Sequence, residues 1–141
     1  MGRVVVVWLH VLGAAVWVGG LLYGGHLVVP ALARGERAYV RLLTRARPIA
    51  WTAVVLLVLS GIENLRHVQV GPWVMAKLLV VLVLIPLAAH RDFALLPRTV
   101  RALDRGEAPD RALGGLPWVD RALVLGAVVL VFLGVAVARG R

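Results

Sequence analysis

The sequence predicts an all-α integral membrane protein, with a single domain over residues 1–141 that forms a bundle of four transmembrane helices. The composition supports this, because 61% of the 141 residues are hydrophobic and the mean hydropathy is +0.90, outside the usual range of soluble proteins. Four apolar runs, at 4–29, 48–65, 72–89 and 119–138, match the roughly 20 residues that a helix needs to cross about 30 Å of hydrocarbon. We therefore expect four spans.

The basic residues predict the orientation of these spans. The net charge is +9, and the arginines concentrate after the first span and between the third and fourth. By the positive-inside rule these two connections are cytoplasmic and both termini lie outside. The arginines there are expected to meet anionic lipid. The predicted partner is thus the lipid bilayer, and no nucleic acid is expected.

The connections are predicted from their glycines and prolines. The first span, too long for a signal peptide, is expected to end near Pro30, and a polar, helix-compatible stretch leads into the second. The second ends around Arg66, and Pro72 starts the third helix after a tight turn. Pro86 is expected to kink the third helix or end it near the inner surface. A short interfacial helix is expected around 98–105, followed by a turn rich in Gly and Pro.

Several kinds of chemistry have no support in the sequence. The chain contains no cysteine, so a metal would need His, Met, carboxylate or amine ligands, or a cofactor. The sequence contains no Gly-x-Ser-x-Gly, no His-Glu-x-x-His and no phosphate-binding glycine loop. Nucleophilic hydrolysis and nucleotide chemistry are therefore not indicated.

The polar residues divide by predicted depth. On the inner side the arginines and six acids are expected to form an ordinary solvated surface; the acids are Glu36, Asp92, Asp104, Glu107, Asp110 and Asp120. In the outer half, three helices carry polar residues at a similar depth, so that these residues can converge in one layer: His10, Glu63, Asn64, His67 and Lys77. Ionisable groups within a span cost roughly 2.5 to 3.5 kcal/mol each on insertion scales and usually face the interior. A plainer alternative is a structural Glu63–Lys77 ion pair, with His67 among the headgroups.

One stripe of the first helix combines an imidazole with very little side-chain bulk. At 100° per residue, five residues lie within about 80° of one another: His10, Gly13, Trp17, Gly20 and Gly24. Two uses remain open. The glycines can allow close helix packing through Gly20-x-x-x-Gly24, which also permits a homodimer. Alternatively they leave a slot in which a flat cofactor approaches the backbone, with His10 as its axial ligand.

These residues resemble two related families of membrane proteins. His10 followed by Trp-Val-Gly-Gly at 17–20 and by Tyr23 resembles the first helix of the HemJ-type protoporphyrinogen oxidases. With Pro30, the same motif is similar to the CopD family of copper-resistance proteins. Trp-Val-Met-Ala-Lys-Leu at 73–78 resembles the start of the third helix in both. The resemblance implies haem b bound by His10, with Lys77 as the matching lysine, or copper handling, in the cytoplasmic (inner) membrane of a bacterium or archaeon.

The leading hypothesis is a small membrane cytochrome of b type, with haem in the outer half of the bundle. His10 is one expected axial ligand and His67 the second, with Met75 and Lys77 as alternatives. Lys77 or Arg66 would pair with a propionate, and Trp17 would pack along the ring edge. The other predicted cofactor-binding residues are Gly13, Gly20 and Glu63.

The expected roles of such a cytochrome are electron transfer, quinone-linked oxidation or gas handling, with a redox partner or a quinone. One alternative is a CopD-like copper protein that uses His10, Glu63, His67 and Met75. A further one is a HemJ-like oxidase, and another is a structural subunit whose glycine stripe docks a partner helix.

Overall fold

The computed structural model describes residues 2–139, apart from the side chain of Val40. The described chain is helical and contains no strand. It includes four helices long and apolar enough to cross a membrane, over Gly2–Ala33, Arg41–Leu65, Pro72–Asp104 and Leu116–Arg139. This confirms the predicted fold class.

The first long helix, α1, runs from Gly2 to Ala33 and passes through Pro30. It is α-helical over Gly2–Tyr23, π-helical over Gly24–Val28 and α-helical again over Val29–Ala33. Pro30 stands at the start of the last segment, where its missing N–H is tolerated. The expected end near Pro30 is therefore about one turn too early.

The second long helix, α2, covers Ala38–Leu65 and includes Pro48. The polar connection is thus helical from Ala38 onward, where it leads into the second span as predicted, whereas its first residues end α1 and form the turn. Between α1 and α2 the chain turns at Gly35, whose φ is +85°, a backbone conformation that glycine adopts without strain. The tight turn after Leu65 leads to Pro72.

The third long helix, α3, runs over Pro72–Asp104 and does not end at Pro86. It is α-helical over Pro72–His90, π-helical over Arg91–Leu95 and α-helical over Leu96–Asp104. Pro86 was expected to kink the helix or end it, and the second of these expectations was wrong. Prolines are tolerated inside transmembrane helices, where neighbouring groups satisfy the freed carbonyl. The helix predicted around 98–105 is present as the last part of α3.

A short helix, α4, over Pro109–Leu113 and the last long helix, α5, over Leu116–Arg139 complete the described chain. The helix α1 packs along α2, α3 packs along α5, and α1 also contacts α5. We call the end of the bundle at which α1 joins α2 and α3 joins α5 through α4 the arginine-rich end. The opposite end, at which α1 begins with Gly2 and α5 ends with Arg139, is the terminal end.

The buried apolar residues form two main clusters. The main core combines residues from all four long helices: Trp17, Leu21, Ala53, Val54, Leu84, Ala88, Leu123 and Ala127. A second cluster, the end core, lies at the arginine-rich end: Val28, Val29, Leu32, Leu43, Leu96, Leu113 and Leu116. The extensions of α1, α2 and α3 beyond the predicted spans supply much of this end core. Charged groups between the two clusters are consequently withdrawn from water.

Candidate functional site

His10 lies half-buried on α1 and is held by a hydrogen bond to α2. Its Nδ1 is 2.9 Å from Oγ of Ser60, and the Ser60 hydroxyl donates to the Leu56 carbonyl one turn earlier. Because a hydroxyl has a single hydrogen, Ser60 Oγ can then only accept from His10, which places a proton on Nδ1. The lone pair of His10 is left on Nε2, the arrangement found in metal-ligating histidines.

The layer around His10 draws on each long helix. A Cβ at Gly61 on α2 would lie 3.5 Å from His10 Cε1, so the imidazole packs directly over this glycine. Lys77 on α3 is half-buried and interacts electrostatically with His10. Its Nζ would lie 3.7 Å from a Cβ at Gly134 on α5. The structure therefore brings His10 and Lys77 into one layer, and Lys77 forms no hydrogen bond or ion pair with the residues described.

Glu63 and His67 lie further toward the terminal end. Glu63 pairs with Arg66 at 3.0 Å and with Nε2 of His67 at 3.5 Å. These acidic and imidazole groups line, with Asn64 and the first turns of α1, a surface pocket of about 300 Å³. His67 follows Ser60 by seven residues, roughly 10 Å along a helix axis, and lies beyond the end of α2. The structure thus does not place His67 beside His10.

The alternative Glu63–Lys77 ion pair is wrong, because Glu63 pairs with residues at its own helix end. Met75 lies outside the layer as well. It is 49% exposed and lines an apolar groove of about 460 Å³ between α2 and α3. Lys77 follows Met75 by two positions, about 200° around the helix. Neither Met75 nor Arg66 therefore reaches the His10 layer in this structure.

The glycines of the α1 stripe do not all face the same neighbour. A Cβ at Gly13 would lie 3.2 Å from the Ala53 carbonyl on α2, whereas one at Gly20 would meet nothing within 4 Å. A Cβ at Gly24 would lie 3.1 Å from Nη2 of Arg91. Trp17 is buried in the main core. Gly13 and Gly24 thus pack against different partners, and only Gly20 borders open space.

A charged cluster that the sequence did not predict lies between the main core and the end core, where Arg91, Asp92 and Asp120 are buried together. Arg91 Nε donates to Asp120 Oδ1 and Arg91 Nη1 donates to Asp92 Oδ1, both at 2.6 Å. Trp51 Nε1 donates to Asp92 Oδ2 at 2.9 Å. Arg91, Asp92 and Asp120 are 8%, 6% and 1% exposed. The prediction that Asp92 and Asp120 belong to a solvated surface was wrong, because the end core covers them.

All four long helices enclose this buried charged cluster. On α1, Gly24 and Gly25 bring bare backbone next to Arg91 and Asp120, since a Cβ at Gly25 would lie 3.7 Å from Asp120 Cβ. On α2, Arg47 donates to the Asp92 carbonyl at 3.4 Å and its guanidinium lies 5.4 Å from the Phe93 ring. Both π-helical segments adjoin the cluster, and such segments occur often at functional sites.

A signal for the cluster is present in the sequence. Asp120 stands at helical spacing with the buried Leu116, Leu123 and Ala127, and Arg91 with the buried Ala88. Residues three or four apart share a helix face. The phase of these apolar positions therefore indicates burial, which depth alone does not.

No group of three or more His, Cys, Asp or Glu side chains in residues 2–139 is arranged to hold a metal ion. No family model, curated protein or solved structure matches this chain. The function is therefore inferred from the geometry of the chain's own residues.

Proposed function

We propose that this protein is a small membrane protein of b-haem type, in which His10 binds the haem through Nε2 near the terminal end of the bundle. The observation that carries the proposal is the hydrogen-bonded chain from His10 through Ser60 to the Leu56 carbonyl. It fixes the tautomer and orients the ring, as the outer partner of a ligating histidine does. A haem bound there supplies one-electron transfer or the binding of a small gas.

The surroundings of His10 suit such a group. Gly61 and Gly134 carry no side chain in this layer. Gly20 faces open space, but it lies ten residues further along α1, about 15 Å from His10 along the helix axis. Lys77 has a cationic amine with no partner among the described groups, which suits it to a haem propionate. Gly13 and Trp17 already pack in the core, so we assign them the positioning of α1. Glu63 and Arg66 pair with each other, and we assign them to the edge of the proposed haem site on the side of the terminal end.

His10 is the one imidazole that the described residues place in this layer, and this limits the kind of haem site that we propose. His67 is engaged with Glu63 and 50% exposed at its side chain, and Met75 faces the groove on the other side of α3. We therefore propose one histidine ligand, with the sixth position left to Lys77 or to a small external ligand. An open sixth position favours gas handling or redox chemistry at the haem over electron transfer alone. Electrons would come from a quinone or a redox partner in the cytoplasmic membrane.

Absorption spectra of the purified protein test this proposal. Oxidised and reduced wild-type protein should show a Soret band, and His10→Ala should lose it because the iron loses its protein ligand. The matched control is His26→Ala, which removes an exposed imidazole that bonds only to the Leu22 carbonyl; its spectrum should be unchanged. His67→Ala should also keep the band. Reduced protein should shift its Soret band when carbon monoxide is added.

Two results would contradict the proposal. One is a Soret band that His10→Ala leaves intact. The other is a colourless preparation, and if that preparation binds copper, the copper alternative replaces the haem. The structure spreads the copper ligands expected from the sequence, His10, Glu63, His67 and Met75, over three separate places. We therefore do not favour the copper alternative. Porphyrinogen oxidation rests on the resemblance alone.

A further inference from the structure

We propose that the buried charged cluster is a proton-binding site, and that Asp120 Oδ2 holds the proton at neutral pH. The site is distinct from the His10 layer and does not depend on haem. It lies between the main core and the end core, at the level of the two π-helical segments.

The charges in the cluster do not balance. One guanidinium faces two carboxylates, and these three residues are at most 8% exposed. Arg47 adds a positive charge nearby, but it donates to the Asp92 backbone carbonyl, lies over the Phe93 ring and, among the described contacts, bonds to neither carboxyl group. A buried carboxylate without a counter-charge is costly and takes up a proton instead. The cluster is therefore expected to bind one proton, which neutralises the excess negative charge.

The hydrogen bonds identify the atom that takes it. Both oxygens of Asp92 are engaged, Oδ1 by Arg91 and Oδ2 by the Trp51 indole. The indole is only a donor, so a proton on Asp92 Oδ2 would oppose its N–H. Asp120 Oδ1 accepts from Arg91, whereas Asp120 Oδ2 is buried and has no partner among the described residues. Among the described residues, Asp120 Oδ2 is thus the one carboxyl oxygen of the cluster that accepts no hydrogen bond.

The other faces of the site add no competing titratable group. From α1 the neighbours are the backbone of Gly24 and Gly25, and the adjacent His26 points away to the Leu22 carbonyl. On α5, Arg121 is exposed and lies over Trp118. The proton site is therefore defined by α3 and α5, with Trp51 and Arg47 contributed by α2.

A proton suits this position better than a metal cation. Hard cations such as Ca²⁺ typically take about six to eight oxygen ligands. Asp120 Oδ2 is a single oxygen without a partner among the described residues, which is too few for such a cation. Binding a proton removes one charge from the pair that joins α3 to α5. Proton uptake at Asp120 would thus weaken this pair and alter the contact between the two helices, which gives the bundle a proton-linked element near its arginine-rich end.

Infrared spectroscopy of the full-length protein tests the assignment. Protein labelled with ¹³C-aspartate contains four labelled carboxyls, those of Asp92, Asp104, Asp110 and Asp120. Near neutral pH we expect a carboxylic-acid C=O band that shifts in D₂O. Asp120→Asn should abolish it. Asp104→Asn, which removes an exposed acid, should leave it in place, whereas Asp92→Asn, which leaves one carboxyl group facing one guanidinium, should weaken it.

The proposal is overturned if wild-type protein lacks this band, if Asp120→Asn retains it, or if Asp104→Asn removes it. A variant that fails to fold does not block the test, because the labelled wild-type spectrum alone shows whether any buried aspartate is protonated. Asp120→Glu in unlabelled protein is the second variant, and we expect it to shift the band while keeping it.

Discussion

Removal of the Arg91 guanidinium should cost this protein a large part of its stability. We consider Arg91→Met, which keeps an unbranched apolar side chain in the position of the arginine stem and removes the charge. The substitution deletes two hydrogen bonds of 2.6 Å from Arg91 to the carboxyl groups of Asp120 and Asp92, and a hydrogen bond to a charged group typically contributes about 1.5–3 kcal/mol. Breaking a buried ion pair by removing one partner costs about 3–5 kcal/mol in total, and this figure already includes the lost hydrogen bonds.

We therefore expect the free energy of unfolding to fall by about 4 kcal/mol, close to a thousandfold in the equilibrium constant, since each 1.4 kcal/mol is tenfold. The assay is reversible unfolding by dodecyl sulfate in mixed micelles, followed by tryptophan fluorescence. Arg105→Met is the control: Arg105 pairs with Glu107 at the surface, with side chains 65% and 41% exposed, and such pairs contribute about 0–1 kcal/mol.

A rescue experiment separates lost charge pairing from lost packing. Combining Arg91→Met with Asp92→Asn and Asp120→Asn neutralises the whole cluster, and most of the lost stability should return. The reasoning is refuted if Arg91→Met and Arg105→Met lower the free energy of unfolding equally. That result would mean that water reaches the cluster in the folded protein.

Four further substitutions probe the packing of α1, the buried charged cluster and the His10 layer. Gly13→Leu should lower the free energy of unfolding by about 1–3 kcal/mol, because the added Cβ would lie 3.2 Å from α2. Gly20→Leu should change it little, because nothing lies within 4 Å of that position. Unfolding by dodecyl sulfate compares the two variants. Trp51→Phe removes the indole N–H that binds a buried carboxylate and should cost about 1–3 kcal/mol in the same assay. Ser60→Ala should weaken haem retention by roughly 10- to 100-fold, measured by haem transfer to apomyoglobin; unchanged retention would contradict the role given to the His10–Ser60 bond.

The four spans were predictable because the hydrocarbon core imposes both length and apolarity on a helix. The ends of the helices at the arginine-rich end were harder to predict. Pro30 and Pro86 suggested stops there, yet α1 and α3 pass through both. Each helix also contains a π-helical segment, which lies before Pro30 in α1 and after Pro86 in α3. A proline rule that comes from water-exposed helices overestimates the breaks in a bundle where neighbouring helices can satisfy the freed groups.

The two polar sites differ in what the sequence reveals. For His10 and Lys77, depth along the spans was sufficient, because few ionisable residues occur in that half of the bundle. The partner Ser60 was not evident, since a serine inside a helix commonly bonds its own i−4 carbonyl, and here the hydroxyl does so while also accepting from His10.

Arg91 and Asp120 show the opposite case. Their depth along the spans wrongly predicted solvent exposure, whereas their position on the buried helix face predicts burial. Both stand among many exposed arginines and acids, so their composition suggests a solvated surface. Their positions on the buried stripes of α3 and α5 instead predict burial, and a buried arginine on one helix requires an acid on another. Even so, the pairing joins residues 29 positions apart, and the Trp51 contact comes from a third helix. Phase can therefore identify the members of such a cluster, but only the packing of α2, α3 and α5 shows which oxygen is left without a partner.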